Sequence, residues 1–87
     1  MGKYNVEFKP SVWKDLGGVP KADRLRILKR IDLLADDPRP FGSEKLSGHK
    51  DRYRVRQGNY RILYSIEDGR LIVIVVKVGH RREVYDR

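Results

Sequence analysis

Arg52-Tyr53-Arg54-Val55-Arg56 sets three arginines at alternate positions, and a fourth, Arg61, follows just beyond Gly58-Asn59. An arginine presents five donors in a planar fork that matches phosphate oxygens, and it does not deprotonate. If Gly58-Asn59 makes a two-residue hairpin turn, Gln57 opposes Tyr60, and the remaining pairs follow. Val55 then opposes Ile62, Tyr53 opposes Tyr64, and Arg56 opposes Arg61 on the other face. Guanidiniums directly across a ladder repel one another. A chain that gathers Arg54, Arg56 and Arg61 on one patch accepts a stability cost there, as functional sites often do. The plainer alternative is an exposed basic strand whose carboxylate partners are Asp51 or Glu44. The whole reading depends on register, because a slip of one residue reverses every side chain.

A second cluster ends the chain in Val78-Gly79-His80-Arg81-Arg82-Glu83-Val84-Tyr85. Gly79 can redirect the backbone and present His80, Arg81 and Tyr85 at a strand end. A tyrosine there can stack on a base, or exchange a proton if nearby cations lower its pKa. His80 can titrate near neutrality. Taken singly, Tyr85 as an edge packer and His80 as a surface residue are the plainer readings. The other histidine, His49, has no metal-ligand partner in its loop. The sequence has no cysteine and no HExxH, Walker A or GxSxG motif. Thiol chemistry, metal hydrolysis, serine hydrolysis and NTP use therefore lack support, and no metal or cofactor is expected.

The elements that must carry these residues fit in one domain, residues 1–87. Twenty Lys and Arg against twelve Asp and Glu leave a net charge of +8, which favours a polyanionic partner such as nucleic acid. The longest apolar run, Leu71 to Val76, is too short to span a membrane. The first residues read as a strand rather than a signal peptide, so a cytoplasmic protein is expected.

Tyr4, Val6 and Phe8 alternate with polar residues as in a strand with one buried face. Pro10 opens a short helix carrying Val12, Trp13 and Leu16. Gly17-Gly18 stops it, and Pro20 starts the next helix. From Lys21 to Ala35, Leu25, Leu28, Ile31, Leu34 and Ala35 recur at helical steps, with Arg24, Arg26, Lys29, Arg30 and Asp32 outside. Pro40 to Gly48 reads as loop. A three-stranded meander follows, turning at Gly58-Asn59 and at Asp68-Gly69. These elements predict an α+β domain, β-α-α-β-β-β, with a helical hairpin packed on an antiparallel sheet. Its core face carries Tyr53, Val55, Ile62, Tyr64, Leu71, Val73 and Val75. The arginine face also carries Leu63, Ile72, Ile74 and Val76, an apolar half that a partner or the C-terminal segment should cover.

Leu46-Ser47-Gly48, Tyr53-Arg54-Val55-Arg56, Gly58-Asn59-Tyr60-Arg61-Ile62-Leu63-Tyr64 and the Val78–Tyr85 segment together resemble the RelE/ParE superfamily of bacterial and archaeal toxins, and within it the RelE branch. The resemblance implies a ribosome-dependent, metal-independent endoribonuclease of a type II toxin–antitoxin system. Such an mRNA interferase cuts mRNA in the ribosomal A site and inhibits translation. It also implies a cognate RelB-like antitoxin and a toxin–antitoxin hetero-oligomer. By position, the implied catalytic residues are Arg54, Arg56, Arg61, Arg81 and Tyr85, with Arg54 and Arg56 standing where relatives often have Lys. Lys45, Arg52, His80 and Arg82 are the implied nucleic-acid contacts. Because the sequence ends two residues beyond Tyr85, the C-terminal helix of many relatives is expected to be missing.

Two other classes stay in view. The ParE branch shares the fold but inhibits DNA gyrase without nuclease chemistry. It generally lacks the full basic set and the terminal tyrosine. A basic module that only binds RNA would keep the charge and leave Tyr85 without a role.

Overall fold

Prolines and glycines punctuate the first half of the chain where the sequence places them. In the computed structural model, which describes residues 3–48 and 50–80, strand β1 is Asn5–Phe8 and helix α1 is Pro10–Gly17. Pro10 suits a first helical turn because its missing N–H has no partner there in any helix. Helix α2 is Lys21–Asp36, entered from Pro20. Strands β2 (Glu44–Lys45), β3 (Arg52–Gln57), β4 (Tyr60–Glu67) and β5 (Ile72–His80) complete the fold. The α+β class and the helical hairpin are as the sequence predicts. No helix among the described residues is long and apolar enough to cross a membrane.

One five-stranded sheet runs β1-β5-β4-β3-β2. The meander pairs antiparallel, and β1 adds a parallel edge to β5, with Val6 opposite Val73 and Phe8 opposite Val75. The two-residue β2 lies within the stretch read as loop and pairs antiparallel with β3. A strand this short carries almost no periodicity, so only the tertiary pairing reveals it.

The helices cover one face of the sheet. Val12 and Leu16 of α1 and Ile27, Ile31 and Leu34 of α2 are buried against Val55, Ile62, Tyr64, Ile66, Val73, Val75 and Val78. Each such side chain withdrawn from water contributes about 1.5–3 kcal/mol before entropy is counted. The expected face of α2 was wrong in phase at its start. Leu25 is exposed, and Ile27 takes the inward position. Ile27, Ile31 and Leu34 follow the i, i+4, i+7 stripe, and Leu25 lies roughly 200° around the helix from Ile27. Trp13 also stays exposed, although its ring lies 4.6 Å from that of Phe8.

The β3–β4 register is the predicted one, with Arg56 opposite Arg61, Val55 opposite Ile62, and Tyr53 opposite Tyr64. Gly58 supports the turn with φ +60°. The β4–β5 connection differs. Instead of a two-residue turn, a 3-10 turn at Asp68–Arg70 leads through Leu71 at φ +54° to Ile72, which pairs with Glu67. The Asp68 carboxylate in this turn accepts from Arg39 and Tyr4. Leu71 is partly exposed rather than a core residue. A bulge then interrupts the ladder between Leu63, opposite Lys77, and Tyr64, opposite Val75. Its extra residue shifts parity, so that Val78 faces the core beside Ile62 and Gly79 falls opposite Arg61.

The apolar half of the arginine face is less bare than expected. Leu46 buries Leu63 in a small second cluster, Ile72 is buried, and Ile74 and Val76 are half-buried. The covering of Leu63 comes from the β2 segment of the chain itself.

Candidate nucleic-acid interface

The alternation of β3 puts Arg52, Arg54 and Arg56 on one face, and the Gly58-Asn59 turn returns Arg61 to the same face. There, Arg54, Arg56 and Arg61 line a small cavity of about 90 Å³ together with Gly42, Glu44 and Val55. The cavity admits a group the size of a phosphate, and its walls supply guanidinium donors. Gly79 lies opposite Arg61 on the neighbouring strand.

Glu44 is the residue that sequence reasoning named only as a possible salt-bridge partner. The β2–β3 pairing sets it directly across from Arg54. Arg54 donates to Glu44 Oε1 from Nε at 3.2 Å and from Nη2 at 2.8 Å. Hydrogen bonding to Arg54, with the further charge of Arg56 and Arg61, holds the Glu44 carboxyl below the usual carboxylate range. The cavity thus contains a resident anion that stays ionised at neutral pH. Arg52, farther along β3, is partly buried and donates from Nε to Ser65 Oγ at 3.1 Å. It borders the cluster without lining the cavity.

Upstream of Gly42 and Glu44 in the chain lies a side-chain clamp that the sequence does not reveal. Arg39 donates to both carboxylate oxygens of Asp68, at 3.1 and 2.8 Å, and to the Tyr53 hydroxyl at 3.0 Å. Its guanidinium lies 5.1 Å from the Tyr53 ring centre. Tyr4 donates to Asp68 Oδ1 at 2.7 Å. These bonds lower the Asp68 pKa to about 2, chiefly through Arg39 and next through Tyr4. Tyr64, fully buried, donates its hydroxyl to the Pro38 carbonyl at 2.7 Å. Burial raises the Tyr64 pKa to about 12. Pro38 and Arg39 are thereby fixed to β3, β4 and the β4–β5 loop, and the segment that reaches Gly42 starts from a rigid point.

Other expected contacts lie elsewhere. Lys45 is opposite Tyr53, on the reverse side of the ladder from Glu44 and Arg54, and is exposed at the sheet edge. His80 pairs with Tyr60 and meets its ring edge-on, with 5.6 Å between centroids. It lines a larger cavity of about 670 Å³ with Asp15, Val19, Tyr60, Lys77 and Val78 at the α1 end of the sheet. Asp15 Oδ2 accepts from the Val78 N–H at 3.2 Å there. Arg81, Arg82, Tyr85 and His49 lie outside the described residues. Gly79 and His80, the last described residues, stand opposite Arg61 and Tyr60 on the neighbouring strand.

Residues 6–85 match the family model described as ParE toxin of type II toxin-antitoxin system, parDE. The chain is 33% identical to the putative toxin RelE1 of Methanocaldococcus jannaschii over 95% of this chain and 96% of that one. It is 32% identical to the mRNA interferase toxin RelE of Escherichia coli, over 94% and 90% of the two chains. The fold superposes on the archaeal RelE–RelB complex from Pyrococcus horikoshii OT3 with a TM-score of 0.82 and 33% identity, covering 94% of this chain and 99% of that one. Matched along nearly its whole length in both sequence and fold, the chain belongs to the RelE/ParE superfamily as a RelE-like toxin of the type II toxin–antitoxin class.

Proposed function

We propose that this toxin is a metal-independent endoribonuclease that cleaves mRNA in the ribosomal A site, with the RNA 2′-hydroxyl as nucleophile. The observation that carries the reading is the phosphate-sized cavity shared by Arg54, Arg56 and Arg61 on the open face of β3–β4. RNA brings its own nucleophile, so the protein has to align it with phosphorus and neutralise the charge that accumulates there. The 2′-oxygen forms a bond to phosphorus as the bond to the 5′-oxygen breaks. The 2′-hydroxyl proton passes to an acceptor, and the leaving oxygen gains one. Arg61, with Arg54 and Arg56, holds the phosphate. Arg81 stabilises the leaving oxygen, and Tyr85 assists the 2′-hydroxyl proton or stacks on the substrate base. Arg52 and Arg82 add phosphate contacts. Lys45 and His80 serve the flanking strand or the ribosomal RNA, because they stand off the arginine face.

The name of the Escherichia coli relative, an mRNA interferase, supports the activity. The Pyrococcus horikoshii relative was solved with RelB, which supports a RelB-like antitoxin as partner. The antitoxin would cover the half-buried Ile74 and Val76 and reach the arginine cavity with acidic side chains. Purified protein added to translating ribosomes, with mRNA ends mapped by primer extension, tests the reading. New ends inside the A-site codon are expected, and their absence at saturating toxin would reject it.

The ParE description of the matched family favours one second reading, inhibition of DNA gyrase without cleavage. A gyrase supercoiling assay run beside the ribosome assay separates the two.

A further inference from the structure

Phe41 is fully exposed, the most exposed of the large apolar side chains among the described residues. Burial of a phenylalanine stabilises a fold, and this one forgoes that gain. Its position is not that of a slack loop. Ser43 N–H donates to the Pro40 carbonyl at 3.0 Å, closing a turn with Phe41 and Gly42 as its central residues. Gly42 has φ +94°, the conformation a type II turn demands at that place. Just upstream, Pro38 and Arg39 are tied to Tyr64, Asp68 and Tyr53. Just downstream, Glu44 is locked in the β2–β3 ladder. The aromatic ring therefore projects from a turn that is closed at its base and anchored on both sides.

The turn is also part of the arginine cavity. Gly42, the residue after Phe41, lines it together with Arg54, Arg56 and Arg61. An aromatic face one residue from a phosphate-sized basic cavity combines the two elements by which single-stranded nucleic acid is held: charge on the backbone and stacking on a base. We propose that Phe41 is the stacking platform for the base of a nucleotide adjoining the phosphate held by Arg54, Arg56 and Arg61. The inference rests on the RNA reading above and adds to it a residue that binds the base rather than the phosphate. The occupant is an RNA base because the neighbouring wall is cationic. Stacking is tolerant of base identity, so Phe41 contributes affinity and register more than codon choice.

The test is fluorescence anisotropy at low salt with two labelled oligonucleotides. One is an RNA with 2′-O-methyl riboses, which cannot be cleaved, and the other has the same backbone with abasic sites. Wild type, Phe41→Ala, Phe41→Leu, Phe41→Trp and Arg61→Ala are compared, with melting temperatures measured alongside. Phe41→Ala and Phe41→Leu should weaken binding to the base-bearing strand about 5- to 100-fold, the range of one stacked base, while Phe41→Trp retains it. On the abasic strand the three Phe41 variants should match wild type. Arg61→Ala should weaken binding to both strands. If Arg61→Ala weakens binding and Phe41→Ala does not, the RNA reading stands and the platform is rejected. Equal losses by Phe41→Ala on both strands, or a leucine that substitutes fully for the ring, also overturn it. A wild type that binds neither strand overturns the platform, and the ribosome cleavage assay decides the RNA reading separately.

Discussion

Arg54 directs two donors, Nε at 3.2 Å and Nη2 at 2.8 Å, to one carboxylate oxygen of Glu44 across the β2–β3 ladder. A substrate phosphate entering the cavity must compete with that carboxylate for the same guanidinium. Glu44→Gln removes the charge and keeps the shape. It should therefore tighten binding to a non-cleavable RNA by roughly two- to five-fold, with the gain shrinking as salt screens the site. Anisotropy titrations at two ionic strengths measure this. Weaker binding by the variant would show that Glu44 orders Arg54 for the phosphate rather than competing with it.

Arg61→Ala should lower single-turnover cleavage on ribosomes by a factor of roughly 10² to 10³, about 3–4 kcal/mol, with a much smaller change in ribosome affinity. Lys21→Ala, at the exposed start of α2, should cleave as wild type does. Arg54 and Arg56 line one cavity, so their double variant should lose less than the two single losses combined. Quench-flow rates at saturating toxin compare all five variants with wild type.

Tyr85→Phe separates two roles for the terminal tyrosine by removing only its hydroxyl. If Tyr85 handles a proton, the single-turnover rate falls. Full activity in the Phe variant, with loss only in Tyr85→Ala, would leave the residue as a stacking surface.

Tyr64→Phe deletes a buried hydroxyl and leaves the Pro38 carbonyl without that donor. The expected cost is about 1–2 kcal/mol, or roughly 5–15 °C in melting temperature for a domain of this size. Calorimetry checks it. A variant as stable as wild type would mean that the Pro38 carbonyl finds another donor.

Acid should loosen the Arg39–Asp68 clamp in a defined window. The folded Asp68 pKa, about 2, lies below that of an unfolded aspartate, so the clamp's contribution is present above about pH 4 and lost as pH falls towards 2. Asp68→Asn should flatten the stability profile between those values while leaving the profile above pH 5 parallel to wild type. Denaturant midpoints across the acid range read this directly, and an unchanged acid slope in the variant would assign the acid sensitivity to other carboxylates.

The sequence by itself determined the helical hairpin, the meander and the patch of Arg54, Arg56 and Arg61. Each follows from short-range chemistry: Pro and Gly at helix ends, alternation along β3, and a Gly-Asn turn whose length sets the register of its two strands. Leu25 was misplaced because two apolar stripes run along the start of α2, and only the sheet selects the one through Ile27. The β4–β5 register was misread for a similar reason. An Asp-Gly pair favours a tight turn without enforcing one, and here a 3-10 turn with Leu71 at φ +54° takes its place while Asp68 bonds Arg39 and Tyr4, residues distant in sequence. The wider loop and the bulge beside Leu63 then decided that Gly79 lies opposite Arg61. Glu44 and Gly42 in the wall of the arginine cavity were likewise placed by tertiary structure. A two-residue strand has no period to read, and a loop acquires its place only when partners far along the chain fix its two ends.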